Sequence, residues 1–248
     1  AKFTLCSRIW VFEVESYIPY GKIIIVQGDP GDGKTTFILA VTALITTGRL
    51  MTESDISMEP ITVIYKTAED GLSDTIKPRL IEAGADCTKV AVIDEDAQPL
   101  SLSDGRLEKA IQQINTKPLI LDPLQAYLGE NIDMNRASEV RPIFKQLAEI
   151  AEHTGCAIVI IGHMNKMNGI KGLYRGLGSI DIAAAARSVL FIERCKDSPS
   201  IRVMAHLKNS LAPEGKSIGF ELDEITGFRW IGYYDITADE LLNDKIMF

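Results

Sequence analysis

The stretch that decides the fold is Ile23-Ile24-Ile25-Val26-Gln27-Gly28-Asp29-Pro30-Gly31-Asp32-Gly33-Lys34-Thr35-Thr36-Phe37-Ile38-Leu39-Ala40. Its opening apolar run predicts a short buried strand. The glycines and the proline that follow predict a tight loop. The apolar residues after Thr36 predict that the loop runs directly into a helix, which we expect to extend from residue 34 to about 47 and to end at Gly48.

A glycine, four residues and then Gly-Lys-Thr is the pattern of a loop that binds nucleoside triphosphates. Glycines permit backbone conformations in which successive N–H groups point at phosphate oxygens, and the helix N-terminus adds the positive end of its dipole. Lys34 is expected to reach the β- and γ-phosphates, and the Thr35 hydroxyl to hold Mg²⁺. The predicted binding loop comprises Gly28, Asp29, Pro30, Gly31, Asp32, Gly33, Lys34, Thr35 and Thr36.

Composition excludes several classes of protein. The 248 residues carry a formal net charge of −8 with a pI near 5.0, so any nucleic-acid site must be a local basic patch. No apolar run approaches the roughly 20 residues that span a bilayer, and no signal-peptide pattern opens the chain. The four cysteines lack metal-type spacing and are expected to be reduced. We therefore expect a cytoplasmic protein with no membrane partner.

Short apolar runs alternate with helical patterns along most of the chain. Strands are predicted at 61–65, 90–93, 118–122 and 156–161, with helices at 70–83, 104–115 and 136–153. This alternation predicts an α/β fold in which helices flank a mostly parallel sheet. Four later runs, at 189–192, 201–207, 217–222 and 228–232, predict an antiparallel extension of that sheet. We expect an arm or edge segment over residues 1–20 and one domain over 21–248.

Three polar residues stand where predicted strands end, and ligands of α/β sheets gather at that edge. Asp122 can hold Mg²⁺ through its water shell, or it can be a turn residue before Pro123. Glu69 can orient and deprotonate an attacking water, although the adjacent Asp70 competes for that role and either can cap the following helix. His163 can contact the γ-phosphate and change position on hydrolysis.

A glycine-rich stretch with no acidic residue runs from residue 163 to 178 and carries Lys166, Lys171 and Arg175. Its composition predicts a long basic loop, and long loops inside compact domains are commonly functional. The three cations can track the backbone of a single-stranded nucleic acid, or they can simply be solvated.

With these residues placed, the chain resembles the RecA-like ATPase superfamily, and within it the hexameric replicative-helicase branch typified by plasmid RepA and DnaB. The resemblance covers residues 20–232. Thr67-Ala68-Glu69-Asp70 resembles the motif with the catalytic glutamate, and Leu119-Ile120-Leu121-Asp122 resembles the Walker B strand. Gly162-His163-Met164-Asn165-Lys166 resembles the sensor motif that opens into a DNA-binding loop.

The segment from His206 to Gly215 resembles the hairpin in which this superfamily supplies a basic finger to the neighbouring subunit. By that match Lys208 is the first candidate for the finger, although many relatives have arginine there, and Arg187 is the second. DnaB-type proteins have glutamine where His163 stands, and the RepA type is closer at that position.

The resemblance implies a hexameric ring that hydrolyses ATP with Mg²⁺ at its subunit interfaces and moves single-stranded DNA, in plasmid, phage or mobile-element replication. Three other functions stay open. The first is a filament-forming recombinase or DNA-repair ATPase, and the second is a P-loop kinase for a small molecule. The third is a nucleotide-gated DNA-binding module with negligible turnover.

Overall fold

A computed structural model describes residues 17–51, 58–94, 99–129, 132–163, 180–223 and 225–243. These residues form one sheet of nine strands in the order β3-β2-β4-β5-β1-β6-β7-β8-β9. The strands are β1 Ile23–Gly28, β2 Val63–Thr67, β3 Val90–Ala91, β4 Pro118–Asp122, β5 Ala157–His163, β6 Ser188–Arg194, β7 Ile201–Asn209, β8 Ser217–Asp223 and β9 Gly227–Tyr234.

Parallel pairing joins the strands from β3 to β6, and antiparallel pairing joins β6 to β9. β1 lies between β5 and β6, so the loop that follows it begins near the middle of the sheet. The predicted α/β fold with an antiparallel C-terminal extension is therefore confirmed, although the first of the four predicted runs, 189–192 in β6, pairs in parallel with β1 and only with β7 in the antiparallel sense. The carboxyl ends of β2, β4, β5, β1 and β6 lie at one side of the sheet, where the phosphate loop, Asp122, Glu69 and His163 come together.

Helices cover both faces of the sheet. They are α1 Lys34–Thr47, α2 Lys77–Glu82, α3 Gly105–Ile114, α4 Leu124–Tyr127, α5 Ala137–Thr154, α6 Ile180–Ala185 and α7 Ala238–Asn243. Side chains alternate along a strand, so Ile23 and Ile25 of β1 enter the core formed with α3 to α6, and Ile24 and Val26 enter the core formed with α1 and α2. This two-sided burial explains why β1 is apolar from Ile23 to Val26.

The region after β2 differs from the prediction. A helix was expected over 70–83, but the chain first makes a π-helical turn, Leu72–Ile76, and only then enters α2. The N–H of Lys77 donates to Leu72 O, five residues back, and the next residue, Pro78, has no N–H to give to the carbonyl of residue 74. The strand expected at 90–93 is likewise only two residues long, Val90–Ala91.

The first described residues pack tightly against the antiparallel part of the sheet. The Tyr17 ring stacks on His206 with centroids 4.8 Å apart, and its hydroxyl donates to Lys216 O. Tyr17 and Ile18 are both buried in the core. The end of the predicted 1–20 arm thus packs into the domain, while residues 1–16 lie outside the described residues. In the part of the chain that the structure describes, no helix is long and apolar enough to cross a membrane.

Candidate nucleotide-binding site

The phosphate loop leaves β1 at Gly28 and enters α1 at Lys34. Gly31 and Gly33 both have φ of 85°, a left-handed conformation that side chains disfavour. Gly28 is required for a different reason: a Cβ there would lie under 3.0 Å from the carbonyl oxygen of Ile192 on the neighbouring strand. The sequence pattern thus combines two constraints, backbone conformation within the loop and close approach of β6 at its start.

The Lys34 amine lies over the loop that it belongs to. It donates to Gly28 O at 3.0 Å and to Asp29 O at 2.8 Å, and the side chain is buried. Burial lowers the pKa of Lys34, and the nearby carboxylates of Asp32 and Asp122 oppose that effect. Because carbonyl oxygens are its partners, the amine can exchange them for the stronger acceptors of a phosphate.

Two side chains brace the loop. The buried carboxylate of Asp32 accepts from the N–H of Asp29 at 3.0 Å, across the turn that contains Pro30. Arg194, at the end of β6, donates to Gly31 O at 3.1 Å. The prediction assigned Asp32 only as a member of the loop, and it missed Arg194. No local pattern marks that arginine, because it meets the loop only through the pairing of β6 with β1.

Asp122 and Thr35 face each other directly. Thr35 Oγ1 donates to Asp122 Oδ2 at 2.8 Å, and the hydroxyl of Tyr65 donates to the same oxygen at 3.1 Å. Burial raises the pKa of Asp122, and these two hydrogen bonds oppose the increase. A hydroxyl and a carboxylate side by side are the hard oxygen ligands that Mg²⁺ prefers. The donor set at this point therefore fits a nucleotide-bound Mg²⁺.

Glu69 and His163 lie beyond this pair, at the ends of β2 and β5. Glu69 Oε2 is 3.6 Å from His163 Nε2, and the Glu69 side chain is 61% exposed. The buried Nδ1 of His163 has no hydrogen-bond partner among the described residues. Asp70 has a different partner, since its Oδ2 lies 3.2 Å from Arg79 Nη1 at the start of α2. Of the two competing acids, the geometry leaves Glu69 facing the site.

Lys208 and Arg187 lie near the amino-terminal ends of the parallel strands, on the side of the sheet opposite the phosphate loop. Ser188, next to Arg187, pairs with Ile24 near the start of β1, and Lys208 pairs with Val189. Lys208 Nζ donates to three carbonyl oxygens at the end of α6, those of Ala183 at 2.8 Å, Ala184 at 3.3 Å and Ala186 at 2.7 Å. Neither cation is placed to reach the phosphate loop of its own chain.

The predicted DNA-contacting residues Lys166, Lys171 and Arg175 lie outside the described residues. The described flanks show where their segment connects. The described chain ends at His163, beside Glu69, and resumes at α6. The last carbonyl oxygens of α6 accept hydrogen bonds from Lys208.

Comparison with known proteins places the chain in a family. A family model described as an AAA domain matches residues 4–169, more than half of the chain. The chain belongs to the AAA domain family. The RecA-like P-loop ATPase expectation is thereby confirmed at the level of the superfamily, while the RepA/DnaB-type branch stays a prediction.

Several relatives of this AAA-family chain carry the name DNA repair protein RadA. That of Halalkalibacterium halodurans is 26% identical over 207 residues, which cover 82% of this chain and 40% of the relative. That of Helicobacter pylori strain J99 is 28% identical over 210 residues, covering 84% of this chain and 41% of the relative. The AAA-family chain thus spans well under half of the length of these relatives.

The fold of this AAA-family chain also occurs in a solved structure, which is described as an ATPase domain. The two superpose with a TM-score of 0.63 at 13% sequence identity, over 86% of this chain and 85% of that one. At that identity the similarity concerns the fold alone. It supports the assignment of a RecA-like P-loop fold, with a mostly parallel sheet and antiparallel strands at its C-terminal end.

Proposed function

We propose that this chain is a motor that hydrolyses ATP at the subunit interfaces of a homo-oligomeric ring and acts on single-stranded DNA in the centre of that ring. The observation that carries the proposal is the convergence at one sheet edge of a phosphate loop, the Thr35–Asp122 pair and the Glu69–His163 pair. A kinase or a nucleotide-binding module also needs the phosphate loop and the Thr35–Asp122 pair. An exposed carboxylate beside them is what hydrolysis needs.

Each group at this edge has a distinct task in the proposed reaction. Lys34 and the loop N–H groups bind the phosphates, and Thr35 and Asp122 hold Mg²⁺, which neutralises charge on the transferred phosphoryl group. Glu69 accepts a proton from the attacking water, and its exposure gives water access to it. His163, in contact with Glu69, registers whether the γ-phosphate is present.

The trans finger is assigned to Arg187. Lys208 was the first candidate, but its three N–H donors bond to the carbonyls at the end of α6, and releasing them would leave that helix end without its cap. Arg187 is exposed and has no side-chain hydrogen bond or ion pair among the described residues. A guanidinium that faces solvent at the edge opposite its own phosphate loop is suited to a neighbouring subunit's nucleotide.

The nucleic-acid part of the proposal rests on the segment that links His163 to α6. Lys166, Lys171 and Arg175 supply its positive charge in an otherwise acidic chain. The relatives' name supports a role in DNA repair, and the RepA/DnaB resemblance supports a role in replication. Both roles need an ATPase whose turnover responds to DNA.

The test is ATP hydrolysis with and without single-stranded DNA at low salt, where backbone contacts are strongest. We expect DNA to raise turnover in the wild type and in a control with two exposed helical cations removed, Lys109→Ala/Lys145→Ala. The variant Lys171→Ala/Arg175→Ala should keep basal turnover and lose the stimulation. Turnover that ignores DNA at every salt concentration would contradict the DNA role. ADP formation only with an added acceptor, without release of free phosphate, would favour a kinase, and tight ATP binding without hydrolysis would favour a binding module.

A second measurement addresses assembly. Electron microscopy with ATP and single-stranded DNA separates closed rings from filaments. Rings support the proposed motor, and filaments support the recombinase or repair alternative.

A further inference from the structure

Tyr65 occupies the middle of an interior strand, where an apolar residue is usual. It is fully buried, and its ring belongs to the core formed with α1 and α2. In the register of β2 and β4, Tyr65 lies opposite Ile120, and Thr67 lies opposite Asp122. Asp122 is therefore two residues farther along the same face, about 6.6 Å away along the strand. A tyrosine is long enough to span that separation and to place its hydroxyl beside the carboxylate.

Tyr65 Oη donates to Asp122 Oδ2 at 3.1 Å, and Thr35 Oγ1 donates to that same oxygen at 2.8 Å. Among the described residues, no donor bonds to Oδ1 of Asp122. The carboxylate is thus held through one oxygen, and its other oxygen is left for a metal ion or for the metal's water shell. A hydroxyl also needs a partner when it is buried, so the bond to Asp122 accounts for a tyrosine at this position.

The two donors differ in what they would do when Mg²⁺ and nucleotide bind. Thr35 is itself a proposed ligand of the metal, so its hydroxyl has to serve both the metal and Asp122. Tyr65 is not a ligand and lies behind the carboxylate, within the core. Its hydrogen bond can therefore persist unchanged in both states and fix the direction in which Asp122 points.

We propose that Tyr65 is a positioning residue that holds the Asp122 carboxylate in the orientation needed to bind the nucleotide's Mg²⁺. This inference rests on the proposed function, because it presupposes Mg²⁺-dependent nucleotide binding at this edge. It adds to that function a residue from outside the phosphate loop and the strand-end acids. Removal of a side chain that hydrogen-bonds to a metal ligand commonly lowers metal affinity or activity 10- to 100-fold.

The test uses Tyr65→Phe, which keeps the ring in the core and removes only the hydroxyl. Binding of a fluorescent ADP analogue is measured first in EDTA and then across a Mg²⁺ titration. We expect unchanged affinity in EDTA and at least a roughly 10-fold increase in the Mg²⁺ concentration that gives half-maximal enhancement of binding. Tyr20→Phe, which alters a partly buried tyrosine outside this site, should match the wild type in both measurements.

Each result of this experiment is decisive. A Tyr65→Phe variant with the wild-type Mg²⁺ dependence would overturn the positioning role, while Mg²⁺-dependent binding in the wild type would leave the proposed function standing. A variant that also loses affinity in EDTA would assign Tyr65 a purely structural role and overturn the inference as well. Absence of any Mg²⁺ dependence in the wild type would be a failure of the proposed function itself.

Discussion

Substitution of Gly28 tests how closely the phosphate loop is built against the neighbouring strand. A Cβ at Gly28 would lie under 3.0 Å from the carbonyl oxygen of Ile192 and 3.3 Å from its carbonyl carbon. Both atoms belong to the backbone of β6, which pairs with β1, so no side-chain rotation can relieve the clash. The Gly28→Ala variant must separate two central strands or distort the loop.

The size of the effect follows from that geometry. Overpacking in a rigid core typically costs about 1–3 kcal/mol. The clashing atoms here belong to the main chain of the sheet, so we expect the free energy of unfolding to fall by about 3 kcal/mol rather than 1. In a protein of this length each kcal/mol shifts the melting temperature by about 2–4 °C, which predicts a decrease of roughly 6–12 °C.

Thermal unfolding followed by circular dichroism, without nucleotide, measures this decrease. Gly105→Ala is the matched control, because Gly105 begins α3 and an added Cβ there meets nothing within 4 Å. That control should melt at or above the wild-type temperature, since alanine favours helix by up to about 1 kcal/mol. If Gly28→Ala has the melting temperature of the wild type, the close approach of β6 is not the reason that glycine occupies this position.

Three further predictions concern the buried Asp122 and Tyr17 and the partly buried Lys208. Burial raises the pKa of Asp122, so the charged carboxylate destabilises the folded protein at neutral pH. Asp122→Asn should therefore raise the melting temperature of the nucleotide-free protein. The same substitution should abolish Mg²⁺-dependent nucleotide binding. Burial raises the pKa of Tyr17 to about 12, so its contribution to stability is present below pH 10 and is lost as the pH rises through about 12. The free energy of unfolding of Tyr17→Phe, measured with urea, should therefore depend less on pH between 10 and 12 than that of the wild type. Lys208→Met should lower the melting temperature by uncapping α6, whereas Arg187→Ala should leave it unchanged and reduce only hydrolysis by the assembled protein.

Local sequence predicted the elements whose geometry is set by near neighbours. The phosphate loop, α1 and its end at Gly48, with φ of 70°, follow from the pattern of glycine and apolar residues. The strand-end position of Asp122 follows from the length of an apolar run. These features depend on contacts within a few residues along the chain, which a pattern can record.

Features that depend on strand order could not be predicted in this way. Arg194 reaches the loop because β6 pairs with β1, and Tyr65 reaches Asp122 because β2 pairs with β4 in a particular register. The capping role of Lys208 likewise requires β7 to pass beside the end of α6. Each contact joins residues that are distant in sequence, and no local spacing marks them.

Phosphate release from Mg-ATP by Glu69→Gln, beside Asp70→Asn, bears most directly on the proposed hydrolysis. Glu69 faces the site and Asp70 pairs with Arg79, so only the first substitution removes the base. We predict that Glu69→Gln binds ATP normally and loses about 10²- to 10⁴-fold in turnover, while Asp70→Asn stays near the wild type. Wild-type turnover by Glu69→Gln, or an equal loss in both variants, would contradict the assignment of Glu69 as the water-activating base.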